Sequence, residues 1–182
     1  MSEPIFTSDW FSNNIPHWQR HIDATKPMDI LELGAFEGRS VVWMLENLNV
    51  KSLTAVDWWD QEWLENKGHF NTEQNFDHNI KPYKNVKKVK TSTYAFLRNV
   101  RSAYDLIYID GAHDGKSVLT DAVMAHYKLK KGGYLIFDDY SQSTDPNRID
   151  RPRGAIDAFM KQFSNEYKIL YKGYQLMAQK EY

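Results

Sequence analysis

The sequence predicts an α/β fold in which seven strands form a mostly parallel sheet with helices on both faces. Short apolar runs alternate with segments of helical periodicity, and the chain ends in a hairpin pattern. The inner runs are apolar almost throughout, as expected where both faces of a sheet are covered. At 182 residues, the chain is predicted to be one domain spanning 1–182, with an N-terminal helical or lid segment at 1–27 and the core at 28–182.

Five short segments are predicted to form the parallel strands. They are Met28–Leu33, Ser52–Asp57, Val86–Lys90, Asp105–Asp110 and Gly133–Asp138. Two further strands, Tyr167–Tyr171 and Gln175–Gln179, are separated by Lys172-Gly173-Tyr174, which is typical of a β-hairpin. The last strand is therefore expected to run antiparallel to its neighbours.

Three of the intervening segments are predicted to form helices, and the first two carry apolar residues at helical spacing. They are Arg39–Leu48, Lys116–Leu129 and Arg153–Phe163, and Gly132-Gly133 is predicted to stop the second helix. Two aromatic-rich regions are less regular. Segment 1–27 is predicted to form a helix that leans on the core or covers a ligand cleft; it holds Trp10, Phe11 and Trp18. The connection Trp58–Tyr83 is predicted to contain a helix ending near Ile80, and its tryptophans serve either packing or a ligand site: Trp58, Trp59 and Trp63.

Composition narrows the class of protein. There are no cysteines, which excludes disulfides, thiol catalysis and thiolate metal sites and fits a cytoplasmic protein. No apolar run approaches the roughly 20 residues that span a bilayer, and no signal-peptide pattern is visible, so no membrane partner is expected. The net charge of −1 disfavours a nucleic-acid partner, and the five lysines of Lys81–Lys90 are interpreted as a solvated surface.

The strongest functional signal lies where four neighbouring strands end. Ligands of open parallel sheets bind outside the carboxyl ends of the strands. The residues at these ends are glycines or carboxylates, followed in one case by a histidine: Glu32 to Gly38, Asp57, Asp110-Gly111-Ala112-His113 and Asp138-Asp139. Because these ends share one edge of the predicted sheet, the sequence predicts a single site there.

A glycine turn and one carboxylate form the first half of that site. Gly34 and Gly38 permit close backbone approach, and the following helix presents its N-terminal amides. The spacing is Gly-x-x-x-Gly rather than the dinucleotide pattern Gly-x-Gly-x-x-Gly. Asp57 follows about 20 positions later and can accept hydrogen bonds from both ribose hydroxyls of an adenosine. The alternative is that Asp57 only caps the next segment.

Together these motifs resemble a known family. Glu32-x-Gly34-x-x-x-Gly38 followed by Asp57 resembles the cofactor half of class I S-adenosylmethionine-dependent methyltransferases, which have a Rossmann-like sheet. Ile109-Asp110-Gly111-x-His113, with Asp138-Asp139 later, resembles the branch containing macrocin-type sugar O-methyltransferases and the catechol-type metal-dependent enzymes. The resemblance implies S-adenosylmethionine as cofactor. The residues implied to bind it are Glu32, Gly34, Ala35, Phe36, Gly38, Asp57, Ser92 and Asp110.

The same resemblance implies a metal and a base. Asp110, Asp138 and Asp139 would hold a divalent cation. Their hard oxygen donors suit Mg²⁺, Mn²⁺ or Ca²⁺ rather than zinc, and Mg²⁺ is the cation expected. Asp110 and His113 would be the catalytic pair, with His113 as general base. Two departures stand out. Thr91-Ser92-Thr93 lacks the glycine and aspartate of the adenine-binding turn in relatives, and Asp138 stands where some relatives have glutamate.

The implied activity is methylation of a hydroxyl on a small molecule or glycan, and several alternatives remain open. They are a nicotinamide oxidoreductase, an iron-dependent hydroxylase, a metal-independent N-methyltransferase and a non-catalytic S-adenosylmethionine-binding module. The loop Tyr140–Arg153 is either a substrate wall or a solvated loop, and it carries Arg148, Arg151 and Arg153. The aromatic N-terminal segment is also a candidate interface for a homo-oligomer.

Overall fold

The seven strands of the protein form one sheet in the order β3-β2-β1-β4-β5-β7-β6. This architecture comes from a computed structural model that describes residues 3–142 and 151–182. The strands are β1 (Met28–Leu33), β2 (Val50–Asp57), β3 (Val86–Lys90), β4 (Tyr104–Ile109), β5 (Leu129–Phe137), β6 (Tyr167–Lys172) and β7 (Leu176–Lys180). The first five are parallel, and β7 runs antiparallel to both β5 and β6. The predicted sheet and its antiparallel hairpin are therefore confirmed.

Helices cover both faces of this sheet. They are α1 (Ile15–His21), α2 (Arg39–Asn47), α3 (Gln61–Asn66), α4 (Thr72–Ile80), α5 (Thr93–Asn99), α6 (Gly115–His126) and α7 (Pro152–Gln162), with a short 3-10 helix at Ser12–Asn14 before α1. Alternate residues of β4 enter opposite cores: Ile107 and Ile109 pack with α6 and α7, whereas Leu106 and Tyr108 pack with α1 and α2. Burial on both faces explains why the inner strands are nearly continuous apolar runs.

The prediction for the end of α6 was wrong. The sequence predicted a helix over Lys116–Leu129 stopped by Gly132-Gly133, but α6 ends at His126 and β5 already begins at Leu129. The two glycines lie inside β5, where the register with β4 shifts between the pairs Tyr104↔Leu129 and Leu106↔Tyr134. Gly132 has φ +79°, and a Cβ on Gly133 would lie 2.9 Å from a backbone oxygen of β4. The two glycines therefore allow the backbone irregularity in β5.

Two further differences concern short helices. No helix is predicted from the sequence between β3 and β4, where α5 lies, because seven residues carry little periodicity. The connection Trp58–Tyr83 contains two helices rather than one, although the second does end at Ile80 as predicted.

The N-terminal segment leans on the core and also reaches the sheet edge where the strands end. Trp18 of α1 is fully buried against the sheet. Residues 5–10, here called the N-terminal strap, are held by Glu37 and Asn79: Thr7 N donates to Glu37 Oε2 (2.6 Å) and Ile5 N to Asn79 Oδ1 (2.7 Å). Across 3–142 and 151–182, no helix is long and apolar enough to cross a membrane.

Candidate methyl-transfer site

A large cleft opens at the carboxyl edge of the sheet. β1 is the switch point, because the chain continues to β2 and β3 on one side and to β4 and β5 on the other. The cleft has a volume of about 1270 Å³ and is lined by residues from all the predicted strand ends. Pockets for one drug-sized ligand are typically ~300–1000 Å³. The cleft is therefore larger than a typical pocket for one such ligand.

The glycine turn after β1 is required by packing within the protein. Gly34 has φ +92°, and a Cβ there would lie 2.0 Å from the carbonyl oxygen of Asp110. Gly38 has φ +78°, and a Cβ there would lie 2.9 Å from the ring of Phe76. The backbones after β1 and β4 thus approach each other closely, which places the turn beside Asp110. Gly34, Ala35 and Phe36 line the cleft as predicted.

Asp57 holds this turn in place. Its Oδ2 accepts hydrogen bonds from Ala35 N (2.9 Å) and Phe36 N (2.8 Å), and its Oδ1 accepts from Trp59 N (2.8 Å). Asp57 also lines the cleft. Because a carboxylate has about four lone-pair sites, Asp57 retains capacity for a ligand hydroxyl in addition to these three amides.

Glu32, by contrast, lies behind the turn, where it is fully buried. Ser40 donates a hydrogen bond to its Oε1, while its Oε2 has no partner among the described residues. Burial, with smaller contributions from the negative charges of Asp57 and Asp138, raises the pKa of Glu32 to about 8. Glu32 is therefore protonated at neutral pH, and its predicted contact with the cofactor would have to pass through Ser40, which lines the cleft.

Ser92 has a structural task in addition to its predicted one. Its Oγ accepts from Ala95 N (3.2 Å) and so caps the N-terminus of α5. It also lines the cleft. A hydroxyl that accepts at a cap keeps its proton for another acceptor, so both roles are compatible.

Three carboxylates converge at the other end of the cleft. One oxygen each from Asp110, Asp138 and Asp139 lies within 4.8 Å of the others. Burial and the charges of the other two raise the pKa of Asp110 well above its usual value. Burial and the charge of Asp139 raise the pKa of Asp138 to about 6. Asp139 has a left-handed backbone (φ +56°), which is uncommon outside glycine and typical of functional positions.

His113 contacts this cluster through Asp139. Its Nδ1 lies against Asp139 Oδ2, and that hydrogen bond raises the pKa of the imidazole. Burial opposes ionisation of Asp139, but hydrogen bonds from His113 and Tyr174 lower the pKa of its carboxyl. The side chain of His113 is half exposed and lines the cleft. With Nδ1 held by a carboxylate, Nε2 is the ring atom available to a ligand.

Two residues at this site were missed because they come from the hairpin. Tyr174 OH donates to Asp139 Oδ1 (2.5 Å), and Gln175 Nε2 donates to Asp138 Oδ1 (2.7 Å). The pairing Phe137↔Leu176 places these residues beside the end of β5. The signal was available: an antiparallel last strand next to β5 must begin at the edge where β5 ends.

The aromatic residues around the cleft were only partly anticipated. Trp59 is buried whereas Trp58 and Trp63 are exposed, and all three line the cleft. The N-terminal strap places the exposed Trp10 over the turn, with ring centroids 5.0 Å from Phe36 and 5.4 Å from His69. His69 also lines the cleft, and with the exposed tryptophans it forms what is here called the aromatic wall.

The arginines of the Tyr140–Arg153 loop divide into three cases. Arg151 lines the cleft, and its Nη1 donates to Gln142 Oε1 (3.3 Å). Arg153 instead faces Asp157 and the ring of Tyr140. Arg148 lies outside the described residues.

The comparison with known families identifies the class of protein. Residues 31–140 match a family of methyltransferase domains, which is more than half of the chain. The chain belongs to this family, and its mixed seven-stranded sheet is the Rossmann-like methyltransferase fold. One curated relative, the uncharacterized protein R132 of Acanthamoeba polyphaga mimivirus, is 29% identical over 115 residues, which are 60% of this chain and 50% of that protein. The chain thus spans about half the length of this relative.

Solved structures share the fold at low sequence identity. The N-methyltransferase NodS from Bradyrhizobium japonicum WM9 is 13% identical, with a TM-score of 0.66 over 93% of this chain and 96% of that one. The O-methyltransferase TomG from Streptomyces achromogenes, solved with S-adenosylmethionine, is 15% identical with a TM-score of 0.67, over 85% and 73%. MycE of the mycinamycin pathway, solved with Mg, S-adenosylhomocysteine and mycinamycin VI, is 14% identical with a TM-score of 0.71, over 96% and 51%.

Proposed function

We propose that this protein transfers a methyl group from S-adenosylmethionine to a hydroxyl of a small molecule or glycan, assisted by a divalent cation. One observation carries the proposal: the glycine turn with Asp57, and the carboxylate cluster with His113, line the same cleft. The first group suits an adenosine-containing cofactor, and the second suits activation of a hydroxyl. The cleft volume accommodates both ligands.

The cofactor half of the proposal rests on the turn after β1. The amides at the start of α2 and the small Gly34 and Ala35 allow close approach of a ligand, and Asp57 can accept from ribose hydroxyls. S-adenosylmethionine supplies a methyl group that its sulfonium already makes electrophilic. The task left for this chain is to hold the acceptor in line and to prepare its oxygen.

The cation half rests on the chemistry of the donor set. Asp110, Asp138 and Asp139 provide only oxygen donors at short mutual distances, which suits Mg²⁺ or Mn²⁺. The raised pKa values of Asp110 and Asp138 reflect burial and mutual repulsion, which a bound cation would offset. A cation held there would lower the pKa of an acceptor hydroxyl and orient it.

His113 is the proposed base. Asp139 holds the imidazole through Nδ1, so the neutral ring keeps a lone pair on Nε2, which can take the proton of an acceptor hydroxyl as the methyl group is transferred. Asp139 also stabilises the imidazolium that results. Tyr174 holds the other oxygen of Asp139, which limits rotation of the pair.

The aromatic wall favours an acceptor with a flat or apolar face. Trp10, Trp58, Trp63 and Tyr94 are exposed and line the cleft, and aromatic side chains bury large apolar areas. The structures of TomG and MycE, from tomaymycin and mycinamycin biosynthesis, support a small-molecule acceptor by analogy of fold.

The first experiment is calorimetric titration of S-adenosylmethionine and S-adenosylhomocysteine into the wild type, with and without Mg²⁺. NAD is titrated in parallel. We expect both methyl-donor compounds to bind and NAD not to bind. The part of the binding heat that requires Mg²⁺ should be lost in Asp138→Asn. It should be retained in Asp23→Asn, the matched control in the turn before β1. Binding of NAD instead would replace the proposal with an oxidoreductase.

Turnover separates the remaining alternatives. Radiolabelled S-adenosylmethionine is supplied with panels of sugars, phenols and amines, with and without EDTA. Methylation of hydroxyls that EDTA abolishes supports the proposal. Methylation of amines that EDTA leaves unchanged would identify a metal-independent N-methyltransferase. Bound cofactor without transfer to any acceptor would favour a non-catalytic binding module.

A further inference from the structure

We propose that Trp18, Gln175 and Tyr108 form a hydrogen-bond relay that positions Asp110 and Asp138 as cation ligands, so that α1 is part of the metal site. This inference rests on the proposed function. All three side chains lie behind the carboxylates, with exposed fractions of 0%, 0% and 1% in that order. They are positioning residues, because they reach the cleft only through the two aspartates.

The direction of every hydrogen bond in the relay follows from its first member. Trp18 Nε1 is 2.8 Å from Gln175 Oε1, and an indole nitrogen can only donate. The carboxamide of Gln175 is thereby oriented with its oxygen towards α1 and its Nε2 towards the sheet edge. Without the indole, either orientation of the amide would be available.

The two protons of Gln175 Nε2 then have two acceptors. One is Asp138 Oδ1 at 2.7 Å, and the other is the hydroxyl oxygen of Tyr108 at 3.1 Å. Because Tyr108 accepts there, its own proton is directed to Asp110 Oδ2, also at 3.1 Å. Asp138 therefore accepts directly from Gln175, and Asp110 accepts from Tyr108, whose hydroxyl Gln175 orients. The third carboxylate, Asp139, accepts from Tyr174.

These donors orient the carboxylates for a cation. Each hydrogen bond holds one oxygen of a carboxylate, which limits its rotation and leaves the other oxygen directed elsewhere. Partners of this kind behind metal ligands fix the orientation of those ligands, and their loss typically lowers metal affinity roughly 10–100-fold. Buried polar groups are costly without hydrogen-bond partners. The three buried groups of the relay satisfy one another, which favours this one arrangement of their side chains.

The test is binding of Mn²⁺, measured by electron paramagnetic resonance of the free ion. The variants are Gln175→Met, which keeps length but removes the amide, Trp18→Phe, which removes the indole N–H, and Tyr108→Phe. Matched controls are Trp43→Phe, whose ring packs 5.8 Å from Trp18, and Tyr104→Phe on the same strand as Tyr108. Thermal unfolding and S-adenosylhomocysteine binding, both in EDTA, report on folding and on the cofactor half.

We expect Gln175→Met and Tyr108→Phe to weaken Mn²⁺ binding about tenfold or more, and Trp18→Phe several-fold, while both controls bind like the wild type. Binding of S-adenosylhomocysteine in EDTA should stay within twofold for all variants. If Asp138→Asn loses Mn²⁺ but the relay variants do not, the relay is refuted and the metal site stands. If the wild type binds no Mn²⁺ at millimolar concentration, the cation part of the proposed function fails and the relay fails with it.

Discussion

Replacing Glu32 with glutamine should remove the part of the pH dependence of this protein's stability that the proton of Glu32 causes. Glu32 is fully buried, and burial followed by the charges of Asp57 and Asp138 raises its pKa from 4.5 to about 8. The folded state therefore binds this proton more tightly than the unfolded state does. The contribution of Glu32 to the free energy of unfolding is fully present below pH 4.5 and is lost as the pH rises to about 8.

The magnitude follows from the size of the shift. Each pKa unit corresponds to about 1.4 kcal/mol, so the full window amounts to about 5 kcal/mol and the part between pH 4.5 and 7 to about 3 kcal/mol. Glu32→Gln resembles the protonated form, because its amide oxygen can still accept from Ser40. For a domain of this size, 3 kcal/mol corresponds to roughly 6–12 °C in Tm.

The assay is urea-induced unfolding of the wild type and Glu32→Gln between pH 4.5 and 9, in EDTA. We expect the difference in free energy of unfolding, variant minus wild type, to grow in favour of the variant as the pH rises and to level off above pH 8. Glu62→Gln, at an exposed carboxyl in the first turn of α3, is the matched control and should follow the wild type. A difference that stays constant across this range would refute the reasoning, whatever its sign.

Two further predictions concern the turn and the wall of the cleft. Gly34→Ala should lower the Tm far more than Gly68→Ala does. Both glycines have positive φ, but only at Gly34 would the new Cβ meet backbone, 2.0 Å away. Comparable losses of Tm in the two variants would show that only the backbone conformation matters. Trp10→Ala should weaken S-adenosylhomocysteine or acceptor binding about 2–10-fold with little change in Tm, since Trp10 is exposed and its ring lies against that of Phe36. Tyr127→Ala, which removes another exposed aromatic side chain, is the control. If calorimetry gives unchanged affinities for Trp10→Ala, Trp10 is not part of the binding site.

Local patterns in the sequence were sufficient to predict the sheet and the cleft at the carboxyl ends of its parallel strands. β1 and β3 have the predicted bounds to the residue. The inner strands β1 and β4 are buried on both faces and are therefore nearly continuous apolar runs, which makes them easy to find in the sequence. The rule that ligands bind at the carboxyl ends of parallel strands then placed Asp57, Asp110, Asp138 and His113 in one cleft, where the structure has them.

These local patterns did not predict the short helix α5 or the backbone irregularity in β5. α5 has seven residues, so its periodicity is weak, and its cap Ser92 was interpreted only as a ligand contact. The glycines at 132 and 133 resemble a helix stop when only neighbours in sequence are considered. Their role in β5 depends on the approach of β4, which is a contact between distant segments.

The sequence by itself determined which chemical groups follow the parallel strands, because side-chain identity and the place of each strand along the chain are local properties. Only the tertiary structure decided what stands behind those groups. Trp18 and Gln175 are 157 positions apart, and they meet because α1 docks on the face of the sheet that β7 completes. Glu32 is likewise indistinguishable from a cofactor ligand in the sequence, and its isolation from solvent comes from packing by distant elements.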